Sequence, residues 1–257
     1  MVESVPVISW RFREYVLTPS FMHLPWLAVG TSTRQLVPPM SRSSDAALAM
    51  RTALQLEKLP VVFCRQQHTD RIHVIRDAGE LRFENPSQHV VIDSCDGLIT
   101  CVAGLALAIF TADCVPIVFI EAARRIVGVV HAGWRGTYAQ IALRALEKIT
   151  QLDGQLANVW VWLGPAIGGC CYEIGEELAN DFAKRFQHLA SLDGAFLSGR
   201  YLDLIQLNRL QLISAGIPGS HIKASGICTK HSLDRFYSYR AEGEQAGRIV
   251  TMIARTE

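Results

Sequence analysis

Apolar residues along the middle of this chain come in short runs separated by compact polar clusters. Runs rich in β-branched and aromatic residues stand at 61–64, 72–75, 90–92, 106–110, 115–120, 126–130 and 159–163, with further candidates near Ile222 and at 249–253. Their length and composition predict strands. Several are apolar at every position, as expected of strands covered on both faces. Helical spacing is interspersed with them. The run Ser43, Ser44, Asp45 predicts a helix start and a helix over about 45–58. Thr137 and Gln140 have capping-box spacing, and Ile141, Ala145, Ile149 and Leu152 then recur on one face, which predicts a helix to about Leu152. Leu178, Phe182, Phe186 and Leu189 form a second apolar stripe. A third helix begins at Asp203, with Gln206 behind it, and stops at Gly216 before Pro218. The class is mixed α and β. Periodicity alone fits both a doubly wound sheet and a layered α+β sandwich.

One stretch requires a membrane test. From Gly97 to Ile120 the only charged side chain is Asp113, and the segment is long enough to span a bilayer. Asp113 and Pro116 interrupt it, however, and the flanking runs LALAIF and VPIVFI are β-prone. Two buried strands meeting at a polar corner explain it better. No membrane partner is expected. The first twenty residues carry Glu3, Arg11, Arg13 and Glu14 and lack the apolar core of a secretory signal, so the expected location is the cytoplasm.

Composition narrows the function classes. With 257 residues, 49% of them hydrophobic, the chain can bury a large core, and a single domain over 1–257 is expected. A formal net charge of +1 excludes a strongly basic polyanion-binding surface, so nucleic acid is not an expected partner. Seven cysteines, an odd number without a Cys-x-x-Cys pair, argue against a disulfide framework and for reduced thiols. Any special cysteine must be identified by its neighbours.

The most informative polar groups sit at strand ends. The string TADCVP contains Asp113 and Cys114. After one further strand, VVHAGWRGT presents His131, two small residues, Trp134 and Arg135 before a helix. Strand-to-helix corners are where sheets carry function. A thiolate and an imidazole at neighbouring strand ends can bind zinc or form a nucleophile–base dyad. Arg135, near a helix start, offers a fork for an anion. His68, where the run ending in Cys64 breaks into polar residues, is a third candidate. His73 lies inside an alternating run and reads as a sheet-face residue. These positions match no local zinc-finger spacing. The loop GPAIGGCCYE has glycines that permit close backbone approach to a ligand, and its Tyr172 is a candidate substrate contact. Cys170 and Cys171 in that loop read as pocket wall rather than as ligands. The string FYSYR suits a strand lining a pocket, with Arg240 facing a carboxylate or a substrate phosphate.

The strings QQHTDRIHVI, DGLIT, TADCVPIVFI, VVHAGWRGT, GPAIGGCCYEIG, CTKHSLDRFYSYR and GRIVTMI, in this order over almost the whole chain, closely resemble the laccase-domain family, also called the multicopper polyphenol oxidoreductase, YfiH-like or purine nucleoside phosphorylase family. The resemblance implies a single-domain α/β/β/α layered sandwich of the α+β class with mixed sheets, similar to the cytotoxic necrotizing factor catalytic domain. It implies a metal held by His68, Cys114 and His131, zinc with copper as the alternative, and Asp113 supporting that ligand set. The implied activities are phosphorolysis of purine nucleosides, including methylthioadenosine, and deamination of adenosine, so that purine nucleoside and phosphate are the expected small-molecule partners. Arg34 matches the family's Ser-Thr-Arg element and joins Arg135 and Arg240 as a phosphate-binding candidate, although QLVPPMS stands where the family usually has a Gly-Gly-x-Ser turn. Relatives are also linked to removal of L-serine from UDP-muramoyl precursors, and the older laccase reading is copper-dependent oxidation of phenols. Coupled multicopper oxidation wants many more histidines than the eight present. A protein that only binds a nucleotide-like ligand would hold zinc as a structural ion, for which three ligands are one too few.

Overall fold

The computed structural model describes residues 10–13, 15–19, 24–39, 41, 43–81, 89–189, 191–192 and 194–257. Most of the first twenty residues, on which the location was read, lie outside them. In chain order the strands are β1 (Trp10–Arg13), β2 (Val16–Pro19), β3 (Leu27–Ser32), β4 (Val61–Arg65), β5 (Ile72–Ile75), β6 (His89–Asp93), β7 (Gly97–Thr100), β8 (Leu105–Thr111), β9 (Val115–Glu121), β10 (Ile126–Ala132), β11 (Val159–Leu163), β12 (Leu197–Ser198), β13 (Tyr201–Leu202), β14 (Ile222–Ala224) and β15 (Ile249–Arg255). The helices are α1 (Ser43–Ala53), α2 (Trp134–Tyr138), α3 (Ile141–Thr150), α4 (Glu176–Arg185), α5 (Leu204–Ser214) and α6 (Tyr239–Glu242).

Two mixed sheets carry the core. One runs β1-β2-β3-β15-β8-β4-β6 and the other β14-β11-β9-β10-β7-β5. The alternation along β9 shows how they stack. Val115, Ile117 and Phe119 pack with α3, α4 and α5 residues such as Ala145, Phe182 and Leu207. Val118 and Ile120 face the opposite way, into a cluster shared with Leu107, Ile109 and Ile253 of the other sheet. That sheet in turn buries Ala106, Ala108 and Met252 against Ala47 and Met50 of α1. The layers are therefore helix, sheet, sheet, helix, and the apolar runs without polar alternation belong to strands covered on both faces. Among the described residues no helix is long and apolar enough to cross a membrane. The apolar stretch tested for a span contains β8 in one sheet and β9 in the other, joined by the corner 112–114.

Three local expectations differ from the structure. The helix expected over 45–58 ends at Ala53, because Gln55 takes a left-handed conformation (φ 60°). Gln55 N–H donates to the Thr52 carbonyl and Leu56 N–H to the Arg51 carbonyl, a Schellman closure without the usual glycine. The helix expected to begin at Thr137 is two helices. α2 starts directly after Gly133, and α3 starts after a left-handed Gln140 (φ 62°) that makes no side-chain cap. Thr137 does not cap either one. Its hydroxyl and carbonyl instead accept hydrogen bonds from Asn208 Nδ2 (2.9 Å) and Gln211 Nε2 (3.0 Å) of α5. The string FYSYR is not a strand. Phe236 and Tyr237 are buried, and Ser238 caps α6 by accepting from the Ala241 N–H.

The third helix is placed as expected, with Asp203 accepting from the Gln206 N–H at 2.8 Å and Gly216 left-handed (φ 97°) behind its end. Asp203→Ala is expected to destabilise the protein by about 1 kcal/mol. The shift should appear in the urea midpoint with no change in slope.

Candidate metal centre

The site is assembled where β8 crosses into β9. Cys114 immediately precedes β9, and the antiparallel register Ala132↔Val115 and His131↔Pro116 places Cys114 across from Gly133 at the end of β10. Only a glycine fits there. A Cβ on residue 133 would lie 2.9 Å from His68 Cδ2 and 3.0 Å from Cys114 Sγ. His68 arrives from the turn after β4 in a left-handed conformation (φ 59°), and its Nε2 stands 3.9 Å from Cys114 Sγ. The His68 and His131 rings meet edge to face at 4.7 Å. One donor atom from each of His68, Cys114 and His131 lies within 4.8 Å of the others.

The group that gathers them is Asp96, which precedes β7 and is fully buried. Its carboxylate accepts five hydrogen bonds, from the backbone of Gln67 (3.2 Å), His68 (2.9 Å) and Thr69 (2.7 Å), the Thr69 hydroxyl (2.8 Å) and His131 Nδ1 (2.9 Å). Its backbone carbonyl also accepts from the His131 N–H at 2.7 Å. Burial pushes the Asp96 carboxyl up, but the hydrogen bonds from His131 and Thr69 outweigh it and hold the group down at about 2. An ionised carboxylate only accepts, so His131 Nδ1 carries a proton there and Nε2 is left to face the other two donors. The family resemblance implies this supporting role for Asp113. Asp113 lines the cavity but turns its carboxylate away, accepting from the Thr229 hydroxyl and the Arg240 backbone N–H, both at 2.6 Å. The string DGLIT contains Asp96, and an acidic residue directly before a buried strand was the available signal.

Burial opposes ionisation of Cys114, yet the charge of His131 and hydrogen bonds from His131 and His68 bring the thiol down to about 6. Burial likewise opposes charge on His131, but the Cys114 thiolate and Asp96 raise its imidazole to about 9. Both shifts favour the thiolate–imidazolium form of the pair when no cation is bound. A thiolate and two imidazoles, one of them already oriented by a carboxylate, fit a borderline-soft cation such as zinc.

The cluster opens onto a cavity of about 650 Å³, within the range of roughly 300–1,000 Å³ usual for ligand pockets. Asp113, Tyr172, Arg135 and Arg240 line it, together with Tyr239 of the FYSYR string and with Arg65 and Arg248, for which the sequence carries no separate signal. The Arg135 guanidinium lies over the Trp134 ring at 4.3 Å and, among the described residues, makes no hydrogen bond or ion pair. Arg240 donates to the Glu173 carbonyl at 2.8 Å and covers Tyr172 at 4.9 Å. Arg34 is elsewhere. Its guanidinium is engaged by the Leu233 carbonyl, by Glu242 at 2.9 Å and by the Tyr237 ring, outside the residues that line the cavity. Cys170 and Cys171 do not line it either, and Tyr172 alone of that trio faces it.

The sequence profile described as multi-copper polyphenol oxidoreductase laccase matches residues 42–256. Among characterised proteins, the chain is 32% identical over 216 residues to adenosine deaminase RL5 from an unknown prokaryotic organism, covering 83% of this chain and 82% of that protein. It is 38% identical over 216 residues to the purine nucleoside phosphorylase YlmD of Geobacillus stearothermophilus, covering 82% and 77%. The crystal structure of that YlmD superposes with a TM-score of 0.79 at 28% identity, covering 98% of this chain and 100% of that one.

In metal-stripped protein, alkylation of Cys114 by iodoacetamide is expected to rise with pH with a midpoint near 6, and His131→Ala should move that midpoint up towards 9. Asp96→Asn would turn an amide donor towards N–H donors. It should cost about 3–5 kcal/mol of stability and lower metal affinity about 10–100-fold. Asp96 contributes stability above its ordinary value of 3.8, and that contribution is lost as the pH falls through about 2.

Proposed function

The chain belongs to the multi-copper polyphenol oxidoreductase laccase family, and on that footing we propose that it is a metal-dependent purine nucleoside phosphorylase, acting also on methylthioadenosine, that in addition deaminates adenosine. The carrying observation is the convergence of His68, Cys114 and His131 on a cavity that Arg135, Arg240 and Tyr172 also line. Relatives named as purine nucleoside phosphorylases and as an adenosine deaminase support the substrate class. A cation held by those three ligands, zinc with copper as the alternative, would supply Lewis acidity at the position that three protein ligands leave open.

The chain's own residues have defined tasks in this reading. In phosphorolysis a phosphate oxygen bonds to ribose C1′ while the C1′–N9 bond breaks and the purine leaves with a proton. Arg135, whose guanidinium rests on the Trp134 ring with no hydrogen bond or ion pair among the described residues, holds the phosphate with its planar fork. Arg240 is held against Tyr172 and the Glu173 carbonyl and adds positive charge to the same cavity. The Tyr172 ring offers a flat apolar surface to the purine. In deamination a water oxygen bonds to purine C6 and ammonia leaves, so the phosphate site stays empty. Asp113 is a positioning residue, since its carboxylate holds the Arg240 backbone. The reading takes the chain as one working unit in the cytoplasm.

One observation favours a second reading. Cys114, His131 and Asp96 are ordered as nucleophile, base and orienting carboxylate, the arrangement an amide hydrolase of the peptidoglycan-editing or deamidase kind would use. His68 separates the two, because the dyad does not need it and the metal does.

Purified protein given adenosine and phosphate is expected to yield adenine and inosine by chromatography, and a failure to form either product would refute the proposal. Cys114→Ala should lose the metal held with His68 and His131 and reduce both activities about 10²–10³-fold. Arg135→Ala should raise the KM for phosphate about tenfold and leave deamination nearly unchanged. If His68→Ala abolishes metal binding yet preserves an amide hydrolase activity, the dyad reading replaces this one.

A further inference from the structure

A second group of metal-ligating side chains lies apart from the cavity. Cys170 and Cys171 come from the loop after β11, Cys228 and His231 from the loop after β14, and one donor atom of each lies within 4.8 Å of the others. The sheet makes this meeting unavoidable. β11 and β14 are parallel neighbours from Val161↔Ile222 to Leu163↔Ala224, so both loops leave the same end of the sheet side by side. Beyond the strands they stay joined, with the Ala166 N–H donating to the Ile227 carbonyl and the Thr229 N–H to the Ala166 carbonyl at 3.3 and 3.0 Å. In the first loop the N–H groups of Cys171 and Tyr172 both turn back to the Gly168 carbonyl. In the second, the His231 N–H reaches the Cys228 carbonyl at 3.2 Å, closing a Cys-x-x-His turn.

The spacings are of the size found in a coordination shell, in which one of the two His231 ring nitrogens would be the ligand. Cys170 and Cys171 Sγ are 3.8 Å apart, and His231 presents Nδ1 at 3.7 Å from Cys170 Sγ and Nε2 at 3.2 Å from Cys171 Sγ. Tetrahedral zinc with bonds of about 2.3 Å to sulfur and 2.0–2.1 Å to nitrogen has sulfur–sulfur edges of about 3.8 Å and sulfur–nitrogen edges of about 3.5 Å. A disulfide would need a sulfur–sulfur distance of about 2.0 Å. The Gly168 N–H donates to Cys228 Sγ at 3.3 Å. A Cβ on Gly168 would stand 3.2 Å from Cys170 Sγ, so the glycine leaves the sulfurs room. Burial disfavours the Cys228 thiolate, but the N–H groups of Gly168 and His231 bring that thiol down. Burial and Cys228 push Cys170 up against a hydrogen bond with Cys171 that lowers it, and burial with both neighbouring thiols pushes Cys171 up to about 12.

We propose that Cys170, Cys171, Cys228 and His231 form a second metal site, closed by four protein ligands, that takes a structural cation of the zinc class and clamps the loop after β11 to the loop after β14. The clamp matters to the cavity because the same two loops carry Tyr172 and Thr229, and Thr229 holds Asp113. It requires no assumption about which reaction the cavity performs.

The test counts metal without reading activity. Protein dialysed against zinc and freed of loosely bound ions is expected to carry about two zinc equivalents per chain, Cys114→Ala about one, and the double variant Cys228→Ser/His231→Ala about one. Cobalt loaded into Cys114→Ala should give the thiolate charge-transfer and tetrahedral ligand-field bands, and Cys228→Ser added to that background should remove them. In Cys114→Ala, zinc should slow the reaction of the remaining exposed thiols with an aromatic disulfide reagent about tenfold. The proposal is overturned if Cys114→Ala binds no zinc, or if the Cys228→Ser/His231→Ala double variant keeps the full wild-type content. Should Cys114→Ala fail to fold, the loss of one equivalent in the double variant decides the matter alone. Absence of nucleoside turnover with two zinc equivalents present would count against the proposed function and leave this site standing.

Discussion

Asp96 is a buried carboxylate surrounded by donors, and the functional end of the molecule is organised by the need to satisfy it. A lone carboxylate in the interior would be too costly to keep charged. Here three consecutive backbone N–H groups, a hydroxyl and an imidazole compensate it. Satisfying the charge has a geometric consequence. The turn 67–69 must wrap around one carboxylate, which brings His68 to the end of β10 although it comes from the turn after a strand of the other sheet. The same charge fixes the tautomer of His131, so the imidazole presents the nitrogen that a ligand needs. Ligand placement and charge compensation are thus one arrangement.

The second constraint is the corner 112–114, where the chain leaves one sheet for the other. Asp113 occupies a left-handed conformation there (φ 86°), unusual for a residue with a side chain. Its carbonyl accepts from the Ile167 N–H, and its carboxylate from Thr229 and the Arg240 backbone, so the loops after β11 and β14 hold the corner in place. Cys114 inherits its position from that corner, and the register of β9 with β10 brings it to Gly133. The cavity wall, the corner and the ligand cluster are therefore coupled through backbone as well as side chains.

The two cysteine–histidine groups differ in the way that separates working sites from structural ones. His68, Cys114 and His131 offer three donors facing a cavity, with carboxylate support behind. Cys170, Cys171, Cys228 and His231 offer four donors facing one another between two loops. A three-donor group leaves room for a reacting molecule, whereas a four-donor group is complete and can only tie chain segments together.

Much of this was legible in the sequence. The apolar runs at 106–110, 115–120 and 126–130 became β8, β9 and β10, because a strand covered on both faces needs apolar residues at every position. Cys114 and His131 read as polar groups at strand ends for the same reason. Asp203 started its helix because a cap acts within a few residues of itself. What periodicity could not reach was decided by partners far away in the chain. Asp96 reads locally as an acidic residue in a turn, and only the pairing of β7 with β10 brings it to His131. Arg34 carries the charge expected of a phosphate ligand, yet Glu242 and Tyr237 claim it first. Thr137 has the spacing of a cap, but two α5 side chains hold it inside α2. Cys170 and Cys171 read as wall until the parallel pairing of β11 with β14 sets Cys228 and His231 beside them. Local pattern determined which faces are buried and where elements begin, since those depend on neighbours in sequence. Tertiary structure alone decided which donors share a point in space, since that depends on strand register and on where buried charge is compensated.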